Sequence, residues 1–265
     1  MNDSKSKFNK NGLNRFGMIS IIGLKGIPLI KPGDDLGQII VRAAEEQGIE
    51  IRDEDVIVIT QKIVSKAEGR LVSLKDVIPS EFAEHVARNM NKDPRLVEVI
   101  LRETSRIIRM KDRRLIMETK HGFVCANAGV DRSNVEGEDF VSLLPEDPDK
   151  SAREIRSRIK ELTGKSPAVI ITDTWGRPWR LGHIDFAVGI AGMSPFRDYR
   201  GQADMFGYTL RVTRMAVADE LAAAAELAKG KSEGIPVVII RGYDYPKGDG
   251  SAKDLIRPLE RDLFR

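Results

Sequence analysis

Cysteine and histidine are scarce in this chain. Cys125 is the one thiol among 265 residues, and the three histidines are His85, His121 and His183. A single cysteine excludes an intrachain disulfide framework and fits a reducing cytoplasm. The scattered histidines form no Cys/His spacing of the kind a zinc site uses. His121 and Cys125 can share a strand face, but nothing in the sequence orients them as base and nucleophile. Long apolar runs are also missing. No stretch nears the ~18 residues of a membrane span, and Lys25 and Pro28 interrupt the apolar segment closest to the N-terminus. A dominant charge is absent as well: 43 basic against 40 acidic side chains leave a net charge of +3, so no overall field marks a nucleic-acid or membrane binder. The basic run Arg102, Arg106, Arg109, Lys111, Arg113, Arg114 has no interleaved aromatic residues for base stacking and reads as a solvated helix face and turn. A phosphate loop is missing too. "GKS" occurs at 164–166 and 230–232, but Ile159 and Ala225 stand where the first glycine of a Walker loop belongs. Both triplets follow a helical pattern and precede a strand, which is the reverse of the Walker order.

What the chain does contain is an alternation of helix and strand patterns without repeats. The segment 1–16 is polar and reads as a flexible extension ahead of a globular region, 17–265. "DDLGQIIVRAAEEQG" has helical periodicity, with Asp34 or Asp35 to cap its start and Gly48 its end. "DVIVIT" follows as a strand. Ser80 and Asp93-Pro94 open two more helices, the second running through "PRLVEVILRETSRIIRM". "LIMETKHGFVCANAGV" reads as two strands turning near His121-Gly122. Ser151 with Glu154 forms a capping box for "AREIRSRIKELTG", and Gly164 is its C-cap. "AVIIT", "IDFAVGIAG", "YTLRVT" and "GIPVVIIRG" read as extended, and "MAVADELAAAAELAKG" as a helix. This mixture of hairpins and crossovers predicts an α+β fold with mixed or antiparallel sheets and packed helices. "LLPEDPDKSA" marks the best internal boundary, near 144–151, for two subdomains.

The chemistry available is that of oxygen ligands. Asp131 and the pair Asp173-Thr174 follow apolar strand patterns, and carboxylates with a hydroxyl at buried strand ends suit Mg²⁺ or Mn²⁺. The same aspartates would equally well cap backbone N–H groups in turns, and the residue types alone do not choose between the two. Three glycine-bearing loops, "GLKGIPLIKPGDD", "ANAGVDRSNVEG" and "AKGKSEGIP", flank apolar strands. With Lys66, Arg177 and Arg180 they suit a polyanion.

"GIPLIKPGDDL", "IVSKAEGR", "NAGVDRSNVEG", "ELTGK", "VIITDTWGRPWRLGHIDFAVGIAG", "DYRGQADMFGYTLRVT", "VADELAAAAEL" and "EGIPVVIIRG" stand in the order found in the coenzyme F420-0:L-glutamate ligases, which the chain resembles from about Ile21 to Gly242. That resemblance implies an α+β architecture of two subdomains and an intertwined homodimer. It implies a GTP-dependent ligase that activates the terminal carboxylate of F420-0 as an acyl phosphate and joins it to the amine of L-glutamate. A second glutamate would follow through the γ-carboxylate. It further implies two divalent ions per site, Mg²⁺ or Mn²⁺, and a response to K⁺ for which no residue marks a place. By the same resemblance, Asp131, Asp173 and Thr174 are expected to bind metal. Ile27, Pro28, Leu29, Ile30, Gln61, Lys62, Lys66, Asn134 and Asp173, with the loop Lys229, Gly230, Lys231, Ser232, Glu233 and Gly234, are expected around GTP. Lys231 stands where relatives carry an acidic or amide metal ligand, so either Glu233 supplies that ligand or the second metal is held differently. Gln61-Lys62 likewise replaces small hydroxyl residues of some relatives. Arg177 and Arg180 are substrate candidates by charge alone. The chain ends soon after the ligase-like region, so the flavin-binding C-terminal domain of some members is not expected. The alternatives are a ligase for another carboxylate acceptor and a non-catalytic nucleotide-binding protein.

Overall fold

A computed structural model describes residues 17–263; the expected flexible extension, 1–16, lies outside them. In chain order the elements are β1 (Ser20–Gly23), α1 (Leu36–Glu46), β2 (Val56–Thr60), α2 (Gln61–Ala67), β3 (Leu71–Ser73), α3 (Glu81–Met90), α4 (Pro94–Arg102), β4 (Thr104–Lys111), β5 (Arg114–Thr119), β6 (Val124–Ala126), β7 (Phe140–Ser142), α5 (Pro148–Thr163), β8 (Ala168–Arg177), β9 (Arg180–Ala191), β10 (Arg197–Asp198), β11 (Arg214–Met215), α6 (Val217–Lys229) and β12 (Val237–Arg241). The fold is α+β. Its main sheet has the order β1-β12-β2-β8-β9, in which only β2 and β8 run parallel. Val56, Ile57, Val58 and Ile59 are completely buried, as are Val169, Ile170 and Ile171 beside them. That is the unbroken apolar run expected of strands covered on both faces. α6 lies against the face that carries Thr172 and Asp185, and α5 against the face on which Gly189 meets Pro148. A Cβ at Gly189 would sit 2.3 Å from the Pro148 carbonyl oxygen, so glycine is what lets β9 and α5 approach this closely.

The buried apolar side chains form two clusters. One surrounds the main sheet with α1, α5 and α6. The other draws on 74–143, where α3 and α4 pack over β5 and β7. Helix starts follow the expected chemistry. Asp35 accepts from Gln38 N at 2.9 Å, Ser80 from Ala83 N at 3.2 Å, and Asp93 from Arg95 N at 2.9 Å ahead of Pro94. Gly164 ends α5 in the left-handed conformation.

Four expectations are corrected. The second helix of the pair stops at Arg102, and Thr104–Lys111 is a strand paired with Arg114–Thr119. The basic run therefore lies along a hairpin rather than a helix face. α5 starts three residues before Ser151: Asp147 is its cap, accepting from Lys150 N at 2.9 Å, while the Ser151 hydroxyl is turned to Glu68 and the Asp147 carbonyl. "YTLRVT" is not a strand; it contributes a single bridge, Ala203 to Thr209.

Candidate active site

β8 and β9 outrun the sheet. β2 pairs with β8 only as far as Thr172, so Asp173 to Arg177 and their partners in β9 continue as a two-stranded ribbon. Alternation along β8 sends neighbouring side chains to opposite faces. Asp173 turns toward α2, where Gln61 Nε2 lies 3.5 Å from its Oδ1. Thr174 turns toward the loop after α6, where Lys231 Nζ donates to its hydroxyl at 2.7 Å. The pair therefore brackets the end of the sheet.

A cavity of about 390 Å³ opens there. It gathers Ile27, Pro28, Leu29 and Ile30 from the loop after β1, Gln61, Lys62 and Lys66 from α2, Asp131 and Asn134 from the loop after β6, Asp173 and Thr174 from β8, and Lys229, Gly230, Lys231, Ser232 and Gly234 from the end of α6. Three predicted residues stay outside this lining. Glu233 folds back on its own loop, its carboxylate accepting from Ser232 N at 2.9 Å. Gly230 permits this, because a Cβ there would overlap the Glu233 carboxylate. Arg177 is half-buried on the ribbon, with Nη1 shielded from solvent and lacking a hydrogen-bond partner among the described residues. Arg180 is exposed near the ribbon tip.

Charges on the cavity wall balance, four lysines against four acids. Lys62 Nζ holds Asp131 at 2.8 Å and Ser142 Oγ at 2.7 Å. Burial works to raise the Asp131 carboxyl, but Lys62 and Ser133 outweigh it and keep it below the usual carboxylate range. Lys229 pairs with Asp185, and Lys231 with Glu226 at 3.1 Å. Lys66 and Asp173 alone have no ion-pair partner within 4.0 Å among the described residues. Burial, reinforced by Lys62, pulls the Lys66 ammonium below its ordinary pKa. Burial pushes the Asp173 carboxyl up to about 6, against the Thr174 N–H that favours its charged form. An unmatched cation and an unmatched carboxylate thus face one cavity, a pattern expected where a ligand supplies the missing charges.

Oxygen donors suited to a hard divalent cation are available in Asp131, Asp173 and Thr174. Among the described residues no three His, Cys, Asp or Glu side chains gather as a metal cluster, which agrees with Glu233 being turned away. Cys125 is buried, and burial, reinforced by the Asp173 charge, pushes its thiol up to about 12, the setting of a structural rather than a reactive thiol. Sequence reasoning assigned no role to Thr60, Ser133, Asp185 or Glu226, all of which line the cavity. Asp185 carried a usable signal, since it stands in the polar stretch that follows "AVIIT" and returns into an apolar strand.

A model of the F420-0:Gamma-glutamyl ligase family matches residues 25–242. The Coenzyme F420:L-glutamate ligase of Methanothermobacter thermautotrophicus is 51% identical over 250 residues, covering 93% of this chain and 99% of that protein. Proteins of the same name from Methanopyrus kandleri, 45% identical over 94% of this chain and 100% of theirs, and Methanocaldococcus jannaschii, 44% over 93% and 97%, are similar along the same length.

Proposed function

The chain belongs to the F420-0:gamma-glutamyl ligase family and is a ligase, and from that premise we propose that it adds γ-linked L-glutamate to coenzyme F420-0 at the expense of GTP. The observation that carries this reading is the cavity at the end of β8. It unites residues from six separated stretches of chain and leaves Lys66 and Asp173 without counter-charges among the described residues. In the proposed reaction a carboxylate oxygen of F420-0 attacks the γ-phosphorus, the bond to the β,γ-bridging oxygen breaks, and GDP leaves. The neutral amine of glutamate then attacks the acyl carbon. A C–N bond forms, the C–O bond to phosphate breaks, and the amine loses its proton as inorganic phosphate departs.

Asp131, Asp173 and Thr174 would hold Mg²⁺ or Mn²⁺, and the fit rests on an all-oxygen donor set and a buried Asp173 carboxylate with no ion-pair partner. A divalent ion, when bound, offsets repulsion between the anions that must meet. The chain's own groups supply the rest. Loop 27–30 and Asn134 wall the cavity on the nucleotide side, and Lys66 offers a desolvated ammonium to phosphate oxygens. Arg177, with an unsatisfied Nη1 on the same ribbon as Asp173, is assigned to an acidic group of the acceptor or of glutamate. Arg180 reaches solvent beside it and is assigned to the same anionic substrates. As part of this reading the active form is a homodimer.

The test is mass spectrometry of the protein incubated with F420-0, L-glutamate, GTP and Mn²⁺, with parallel reactions lacking GTP or metal. Glutamyl adducts in the complete mixture alone are the expected result. GDP release without an adduct would reject F420-0 as the acceptor, and adducts without GTP would reject the acyl-phosphate route.

A further inference from the structure

Beneath Thr174 lies a polar group that the ligand-binding assignments leave unexplained. The Asp185 carboxylate is 2% exposed, and it receives three donors from inside the protein: Thr172 Oγ1 at 2.9 Å, the Lys229 ammonium and the Thr174 hydroxyl. Lys229 is itself 4% exposed and donates onward to Thr172 Oγ1 at 2.7 Å. It was expected to approach nucleotide, but its ammonium is turned inward onto this cluster. A buried pair of this kind contributes little net stability compared with apolar residues of the same shape. Its presence directly under the site calls for a reason other than folding.

The hydrogen-bond inventory supplies one. A threonine hydroxyl has one proton and two lone pairs. Asp185 can only accept, so the Thr174 proton is committed to it, and the lone pairs are left to face the cavity. The other contact of that oxygen agrees: Lys231 Nζ, a cation on an exposed side chain, donates to it from the cavity side at 2.7 Å. With the proton elsewhere, Thr174 is a fixed acceptor for positive charge. Were Asp185 absent, the hydroxyl could rotate its proton into the cavity and repel a cation there.

We infer that Asp185, clamped by the buried Lys229, is a positioning residue that orients the Thr174 hydroxyl as a cation ligand. This rests on the metal assignment made under the proposed function and extends it to residues that touch neither metal nor substrate. Asp185 accepts the proton, Lys229 and Thr172 hold its carboxylate in place, and Thr174 presents its lone pairs.

The experiment measures Mn²⁺ affinity by electron paramagnetic resonance in the presence of a non-hydrolysable GTP analogue, with thermal melting as the check on folding. Asp185→Leu is combined with Lys229→Met so that neither a hydrogen-bond acceptor for Thr174 nor an unpaired buried charge remains. The double variant is expected to stay folded and to bind Mn²⁺ about 10- to 100-fold more weakly, the usual cost of losing a group that orients a ligand. Thr174→Val should lose a similar factor, and combining all three changes should add almost nothing, because both routes remove the same interaction. Thr172→Val, which keeps the ion pair but frees one side of the carboxylate, serves as the second variant and should weaken Mn²⁺ several-fold. Unchanged affinity in the folded variants, or losses that multiply with Thr174→Val, overturn the inference while the metal assignment stands. A wild-type protein that binds the GTP analogue but no Mn²⁺ overturns the metal assignment and this inference together.

Discussion

Asp173 occupies its position against its own desolvation. The buried carboxyl is raised to about 6 and, among the described residues, has only a 3.5 Å contact with Gln61 as a side-chain partner. At neutral pH its charge therefore weighs against the metal-free fold. Asp173→Asn removes that charge with almost no change in shape. The metal-free variant should melt at or slightly above the wild-type temperature at pH 7.5, yet retain less than about one-thousandth of the ligase rate, as expected when a group that meets the developing charge is lost. Scanning calorimetry beside a product assay checks both halves; a variant that turns over normally at limiting Mn²⁺ would remove Asp173 from the metal site. At this scale much of the cavity was legible, because Asp131, Asp173, Thr174 and Lys66 stand in long motifs whose order is distinctive. Asp185 was left without a role although its place in the same motif signalled one, and the direction of the Glu233 side chain was not legible. Whether a side chain enters a cavity depends on the rotamer and on local loop packing. Glu233 is diverted by a hydrogen bond to its neighbour's N–H, something that spacing cannot reveal.

Helix starts were the most readable elements, because a cap is a local interaction written in three or four residues. Asp93 illustrates it: Asp93 caps α4 and also holds Arg95 at 2.8 Å and Arg132 at 3.4 Å. The Arg95 side chain is the largest influence that brings the Asp93 carboxyl down to about 2. A lowered folded-state pKa gives stability that is complete above the unfolded value of about 3.9 and is lost as pH falls toward 2. Asparagine keeps the cap but not the charge. Asp93→Asn should therefore be less stable than wild type by about 1 kcal/mol at pH 7, and the difference should narrow progressively below pH 4, closing only as the pH passes below 2. Urea midpoints at pH 7, 4 and 2.5 measure it, and a gap as wide at pH 2.5 as at pH 7 would show that the side chain acts through packing instead. The elements that misread are those decided at long range. "SRIIRM" keeps helical spacing in sequence, but pairing with Arg114–Thr119 draws it into a hairpin. Ser151 and Glu154 match a capping box, but Asp147 and Pro148 start the helix one turn earlier.

Over the whole molecule, the apolar surface is distributed unevenly. Leu181 is fully exposed at the ribbon, and Met205, Phe206 and Val212 in the 203–213 loop are each at least 86% exposed. Lone exposed apolar side chains are ordinary, but a run of them along one loop is what a surface covered by a partner would present. The absence of regular strand structure in "YTLRVT" fits the same picture: a segment whose Tyr208 and Val212 side chains stay exposed among the described residues has little to hold it in a sheet. The proposed homodimer would supply a partner. Because β8 and β9 carry Asp173, Thr174 and Arg177 on the ribbon that bears Leu181, covering that ribbon would also steady the active site. Leu181→Ser combined with Phe206→Ser should convert a dimer into a monomer in sedimentation velocity runs. It should reduce kcat/KM at least tenfold while leaving the melting of the main sheet cooperative. A wild-type protein that sediments as a monomer at micromolar concentration, with full glutamylation activity, would reject the dimer and leave the site complete within one chain.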